Sequence, residues 1–445
     1  MSLLGTALII FSLPIAAFSQ EQVQITKLAN GMTLMTMEDH STPLVALQMT
    51  YHVGSKNEAI GLSGLTKICE KMMLEGTPRY EKGEFARIIQ SGGGRSGSEA
   101  DLDFTRFTAK IPLSMLDTLL FLEADRLQNT ELTYEKLILV KEILKKERLT
   151  YIESALYGPL NEEIMNLSYR AHPYRNPIFG WPSDLNNITL DNLRGYFRQY
   201  FQPANTMLVL VGDFSTAGVV GRVKSLFENI LSTPLPSLPE VIEPEQRGER
   251  REIMHISSSI PVVVIGYHIS AAADSDMAAL KVIRHILAGS ESAGIYRRLV
   301  VDSKIALTAG GEIIESEDPG LLMLYSILNY GARGESGLEQ MLEEIERLKT
   351  EPLSTAELDM VKNKIEAAYY NLTATLDQIA GRISFYQMAT GDYQLMNQEI
   401  PLTRAVTSER VMQAAQKYLT ETGRNVIILV PAEAQESEEN SGEVQ

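Results

Sequence analysis

Two hydrophobic rhythms alternate along the chain. Short, nearly continuous apolar or β-branched runs read as strands, among them Val45–Val53 and Val263–Ile269, with Leu102–Pro112 alternating Leu, Phe, Phe and Ala against Asp, Thr and Lys. Longer stretches with apolar residues three and four apart read as helices. They are Gly64–Leu74, Lys82–Gln90, Leu113–Arg126, Tyr134–Leu156 and Leu190–Phe201, then Asp276–Leu287, Gly337–Thr350, Thr355–Leu372 and Ser408–Leu419. The chain opens with a hairpin signal, Val23–Leu28 and Met32–Met37 joined through Asn30-Gly31, because both turn positions tolerate positive φ. Strands that alternate with helices predict a mixed α/β architecture.

The pattern repeats itself. Val45–Val53 and Val263–Ile269 both end Tyr-His-aliphatic, and each is followed by a small, polar stretch and an apolar-periodic helix that stops at Gly76 or Gly289. Later, the strand-like Asn205–Phe214 is echoed by Asn425–Pro431 at nearly the same offset. Two similar units follow, at 20–231 and 252–432. Between them, residues 232–251 carry four Pro and several Glu, which neither a helix nor a central strand sustains, and read as a linker. Residues 433–445 read as a solvated acidic tail. At the other end, Leu3 to Phe18 is apolar and Ala17-Phe18-Ser19 is a small-x-small cleavage pattern, so residues 1–19 read as an export signal too short to span a membrane. An exported, periplasmic or extracellular protein with no span in its mature chain is expected.

The 445 residues are 44% hydrophobic with 18 Tyr and 12 Phe, enough for substantial cores, so general disorder is excluded. A net charge of -17 argues against nucleic-acid binding. The single cysteine, Cys69, rules out an intrachain disulfide together with thiol-redox and zinc-ribbon chemistry, and reads as a small hydrophobe on the core side of its helix. His52 and His268 end strands at equivalent places and read as packed or capping residues. His172 precedes Pro173 and suits a turn. The run Gly92-Gly93-Gly94 leads into a strand and lacks Lys-Ser/Thr, so it is no phosphate loop. No Gly-x-Ser-x-Gly elbow or Ser/His/Asp order is present.

The chemistry-bearing stretch is Lys67-Ile68-Cys69-Glu70-Lys71. Positions 67 and 71 share one helix face and Glu70 flanks them, the geometry of a His-x-x-Glu-His metal site in which imidazoles bind zinc and the carboxylate activates water. Its surroundings, Gly61-Leu62-Ser63-Gly64-Leu65 before and Met72-Met73-Leu74-Glu75-Gly76-Thr77 after, resemble the zinc helix of the pitrilysin/insulinase metallopeptidase family. The resemblance runs from residue 22 to 432, through Tyr51–Glu58, Asp103–Phe107, Lys146-Glu147-Arg148, Tyr157-Gly158, His172-Pro173-Tyr174 and Gly180. It continues in Tyr200–Asn205, Val211–Phe214, Gly289 and Ile295–Leu299. It implies an α+β fold in which two homologous α/β units, each an antiparallel-rich sheet flanked by helices, form half of a clamshell.

The departures bear on function. Both histidine positions are lysines, whose ammonium groups offer a metal no lone pair. The position of the family's catalytic base is kept as Glu70, and Glu147 stands where the third ligand falls. If the fold is intact, Lys67 and Lys71 point toward these two carboxylates. The Arg and Tyr that the family places in the second unit fall at Val300 and Leu307, and the Asn-Ala step of its substrate-binding strand falls at Gly97-Ser98. No zinc and no intact catalytic residue are expected. The resemblance implies a non-catalytic subunit that pairs with an active homologue, or with itself, to bind or enclose peptides. The alternatives are an active zinc metalloendopeptidase with altered ligands and a stand-alone extracytoplasmic peptide-binding or assembly protein.

Overall fold

The computed structural model describes residues 23–154, 158–235, 241–256 and 260–431. The export signal and the acidic tail lie outside them. Among the described residues no helix is long and apolar enough to cross a membrane.

The first sheet has six strands: β1 (Gln24–Lys27), β2 (Thr33–Glu38), β3 (Leu44–Tyr51), β4 (Arg95–Ala100), β5 (Thr105–Pro112) and β6 (Thr206–Gly212). Their spatial order is β1-β2-β6-β3-β5-β4, antiparallel throughout except for β2 beside β6. The Asn30-Gly31 turn closes β1 onto β2, with Gly31 at φ +91°, a conformation that favours glycine. The second sheet has five: β7 (Arg250–Ile256), β8 (Val262–His268), β9 (Ala306–Ile314), β10 (Leu321–Leu328) and β11 (Arg424–Pro431). Its order β7-β11-β8-β10-β9, with β7 parallel to β11, reproduces the first sheet without β1. The two sequence echoes therefore occupy matching places: β3 and β8 at the centre, β6 and β11 beside them. The described residues between the Thr216–Phe227 helix and β7 contain no helix or strand.

Each central strand alternates between two cores. Val45, Leu47, Met49 and Tyr51 of β3 face their own unit's helices. Ala46 faces the other way, against Leu376, Ala380, Ile383 and Tyr386 of a helix, Leu376–Thr390, that comes from the second half of the chain. Thr50 on that face meets Ser384 across 2.7 Å, hydroxyl to hydroxyl. The exchange is reciprocal. The Pro159–Ser168 helix of the first half packs Leu160, Ile164 and Met165 onto Val262, Val264, Ile427 and Leu429 of the second sheet. The Pro159–Ser168 helix carries Pro at its first position, a common start signal. Leu376–Thr390 serves two cores, since Phe385 and Met388 also pack against Phe104, so its apolar residues do not form one stripe.

Because each sheet is closed by the other's helix, the two halves are expected to unfold together. Ile164 is fully buried, and Ile164→Ala should lower stability by about 3 kcal/mol through lost burial and a residual cavity. Urea unfolding followed by fluorescence and far-UV CD should still give one transition at a lower midpoint. Two separated transitions would contradict the exchange as a coupling device.

Elsewhere the structure trims the sequence reading. The Tyr134 helix ends at Arg148 and opens into a wider turn over Leu149–Glu153. The strand expected from Leu102 starts at Thr105, because Asp101 uses its side chain to bind the Asp103 and Phe104 amides in a turn. Cys69 is buried in the first core, where burial pushes its thiol far above its usual pKa.

Candidate functional site

The helix that carries the motif runs Leu65–Met72. It is capped from a distance: the Glu58 carboxylate accepts the Gly64 and Thr66 amides at 2.8 and 2.7 Å. Its start is pressed against Gly180, where a β-carbon would sit 2.4 Å from the Ser63 carbonyl oxygen, so only glycine fits. Beside it lies the Tyr134–Arg148 helix. Arg148 at the end of that helix holds Glu162 of the exchanged Pro159–Ser168 helix in a two-pronged pair at 2.9 and 2.8 Å, and also binds Glu153 at 3.0 Å.

These elements bring all four motif groups together. Lys67 Nζ lies 2.5 Å from Glu70 Oε2, and Lys71 Nζ donates to Glu147 Oε1 at 2.7 Å. The other Glu70 oxygen accepts the Ser98 hydroxyl at 2.6 Å from β4, the edge strand. Glu70 is buried and Lys67 nearly so, so this is a largely desolvated pair, with the Lys67 ammonium also 5.8 Å from the centre of the Phe179 ring. The donor set does not suit zinc. Two ammonium groups stand where imidazoles would have to be, and the carboxylates are engaged by them. Among the described residues no group of three His, Cys, Asp or Glu is arranged to hold a metal ion.

Phe179 also lines a cavity of about 610 Å3 that both halves of the chain build. Its walls are the β4–β5 turn at Asp101–Phe104, the exchanged helix at Asn161 and Met165, β9 at Glu312–Ile314, and Phe385. Phe179 thus links the motif helix, through Lys67, to an inter-unit chamber lined by aromatic, aliphatic and charged side chains. Val300 and Leu307 supply nothing polar. Val300 packs against the second core, and Leu307 lies half-exposed on the edge strand β9.

His52 packs against the Phe104 ring as expected, centres 5.5 Å apart, and does more besides. Its Nε2 lies 2.7 Å from Glu317 of the second unit, and it belongs to a latch between the units. At the latch's centre Lys56 Nζ meets Glu317, Asp318 and Asp103 at 2.7, 3.0 and 3.1 Å. Asp103 accepts the Tyr174 hydroxyl and the Glu317 amide at 2.6 and 2.9 Å. His172 turns the chain as expected, its Nδ1 accepting the Tyr174 amide, and its Nε2 lies 3.4 Å from Asp318. That contact, against the opposing effect of burial and with help from Lys56, holds the Asp318 carboxyl at a pKa of about 2. Burial alone would raise Glu317, but His52 and Lys56 bring it below its usual value. His268 packs edge-on against Tyr169, ring centres 4.8 Å apart, and burial lowers its pKa. The partner residues Glu317 and Asp318 had no signal in the sequence; they are two acids in a short loop between strands.

The paired sheets and the motif helix define an inverted-zinc-motif peptidase fold, and comparison with known proteins agrees. The family model described as "Insulinase (Peptidase family M16)" matches residues 33–180, and that described as "Peptidase M16 inactive domain" matches residues 187–365. The chain belongs to the M16, or insulinase, peptidase family. It is similar to the zinc protease PqqE of Helicobacter pylori, 24% identical over 408 residues that cover 91% of this chain and 92% of the relative. It is also similar to mitochondrial cytochrome b-c1 complex subunit 2 of Rattus norvegicus, 21% identical, covering 90% of this chain and 88% of that one. Among solved structures, a protease from Helicobacter pylori superposes with a TM-score of 0.89 at 24% identity, over 92% of this chain and all of the other. A peptidase M16 inactive domain from Pseudomonas fluorescens gives 0.83 at 19% identity, over 92% of this chain and 98% of that one.

Proposed function

We propose that this chain is a non-catalytic M16 subunit, exported from the cytoplasm, that pairs with an active zinc-dependent homologue and helps to bind or enclose peptides. One observation carries the reading: the two positions that would present imidazoles to zinc present ammonium groups, and these pair with Glu70 and Glu147. Fixed positive charge then stands in the motif where the family chemistry needs a divalent cation, and Glu70 has no metal-bound water to activate. The absence of polar groups at Val300 and Leu307 points the same way. What remains is the chamber of about 610 Å3 and the edge strands β4 and β9 beside it, surfaces on which an extended peptide can find main-chain partners. The relatives include cytochrome b-c1 complex subunit 2, by its name a component of an assembly.

The test has two arms on the purified mature chain. Metal analysis and peptide-cleavage assays should show no stoichiometric zinc and no chelator-sensitive turnover. Affinity purification from the native source should recover a homologue with an intact His-x-x-Glu-His motif. Zinc with chelator-sensitive cleavage would overturn the non-catalytic reading; isolation of the chain alone would overturn the pairing.

A further inference from the structure

A polar cavity in the second unit takes no part in the peptidase motif. It measures about 530 Å3 and lies where the loop after the Met277–Ala288 helix passes the Thr355–Asn371 helix. Several charges line it, and most are already matched. Arg298 pairs with Glu343 and Glu344, and Arg347 with Glu344 and Glu357. His285 adds no positive charge: its Nδ1 donates to the Lys281 carbonyl at 2.9 Å, leaving Nε2 to accept from Arg284, and burial lowers its pKa.

Lys364 is different. Among the described residues it has no carboxylate partner; its ammonium instead donates to the hydroxyls of Ser290 and Ser292 at 3.0 and 2.5 Å. Those hydroxyls are 3.1 Å apart. An ammonium carries three N–H groups and each hydroxyl one proton. Two ammonium protons reach the serines, and one hydroxyl proton bridges them, so one N–H and one O–H remain beyond the cluster's own bonds. Arg297, which also lines it, is 72% exposed and 3.9 Å from Asp302, too far for a hydrogen bond. Its guanidinium can offer two further parallel donors. The cavity's carboxylates, Asp302, Glu344 and Glu357, each face an arginine, which leaves Lys364 as the ammonium without an opposite charge among the described residues, in a concave site that favours an oxyanion.

We propose that Lys364, Ser290, Ser292 and Arg297 form a binding site for a small oxyanion, a phosphate or carboxylate group. Charge-assisted hydrogen bonds from Lys364 supply most of the affinity, and the serines hold its ammonium in place. The site is separate from the inter-unit chamber and does not depend on how that chamber is used.

Inorganic phosphate and acetate, titrated separately into the full mature chain at constant ionic strength, test this by the rise in melting temperature and by calorimetry. At least one should bind the wild type saturably. Phosphate binding alone would place the ligand among phosphate esters, and acetate binding alone among carboxylates. Lys364→Ala should weaken binding at least tenfold, the scale of one hydrogen bond from a charged group, while Lys364→Arg stays within about threefold because the charge and donors are kept. Ser292→Ala should weaken it about fivefold, as expected for one neutral hydrogen bond. Melting of the variants without anion checks their folding. Failure of both anions to bind the wild type, or equal binding by folded Lys364→Ala, overturns the site.

Discussion

Replacing Lys67 and Lys71 together by histidine is expected to raise the affinity of the chain for zinc at least 100-fold. Changes confined to groups around a metal's ligands already shift affinity by about 10–100-fold, and here two ligands themselves would be created. The register is in place. Position 71 reaches Glu147 across 2.7 Å in the present structure, and position 67 lies one helical turn earlier on the same face, beside Glu70. The substitution removes two fixed positive charges and leaves both carboxylates free to face a dication. Neutral imidazoles then provide lone pairs that the ammonium groups lack. Affinity should fall as pH drops through the histidine range, since the rings must be unprotonated to bind. Competition against a chelating dye at pH 7 measures the gain. A folded double variant that binds zinc no better than its parent would mean that Glu147 and the motif helix are not in ligand register.

Removing the cation at the centre of the inter-unit latch should destabilise the fold strongly. Lys56→Met is expected to lower stability by about 3 kcal/mol, at the lower end for breaking a buried ion pair from one side. Asp103 is 4% exposed and would lose its counter-charge, while Glu317 and Asp318, at 28% and 35%, retain some water and their histidine partners. The effect should depend on pH in a defined direction. Asp318 and Glu317 have depressed pKa values in the folded state. Their stabilisation is therefore complete above the ordinary carboxylate range and is lost as pH falls from about 4 toward 2. Lys56 is shifted upward against the effect of burial by its three carboxylates, so its own contribution fades only in strong alkali. Urea denaturation at pH 7 and at pH 3 should show a smaller difference between wild type and Lys56→Met at the lower pH. A difference that does not change with pH would place its origin outside these ion pairs.

Much of the candidate site was legible because the motif is local. Lys67, Glu70 and Lys71 lie within one helical turn, so helix geometry alone groups them, and Glu147 could be placed from the residues around it. The sequence marks Ser98 only as a departure from the family's substrate-binding strand; its bond to Glu70 depends on how β4 approaches the motif helix. Phe179 and the chamber were not legible, because their walls come from six separate stretches of the chain. His52 shows the limit most plainly. Its place at a strand end implies packing, and it does pack on Phe104, but nothing local points to its ion-pair partner Glu317, 265 residues away.

The linear pattern by itself determined the strands at the sheet centres, most of the amphipathic helices, the internal repeat and the identity of the groups in the motif. These follow from short-range periodicity and from residue chemistry, which need no knowledge of partners. Only the tertiary structure decided that the two units are not independent: each sheet is covered by a helix of the other, and Lys56 ties them together. Residues 164 and 383 carry no mark of the sheet they cover, because burial of apolar surface is non-directional and any face of matching shape satisfies it. The same holds for the lysines of the motif. Their charge was plain from the sequence, and Lys67 meets Glu70 within one helical turn, but the pairing of Lys71 with Glu147 was settled by packing of the Tyr134–Arg148 helix beside the motif.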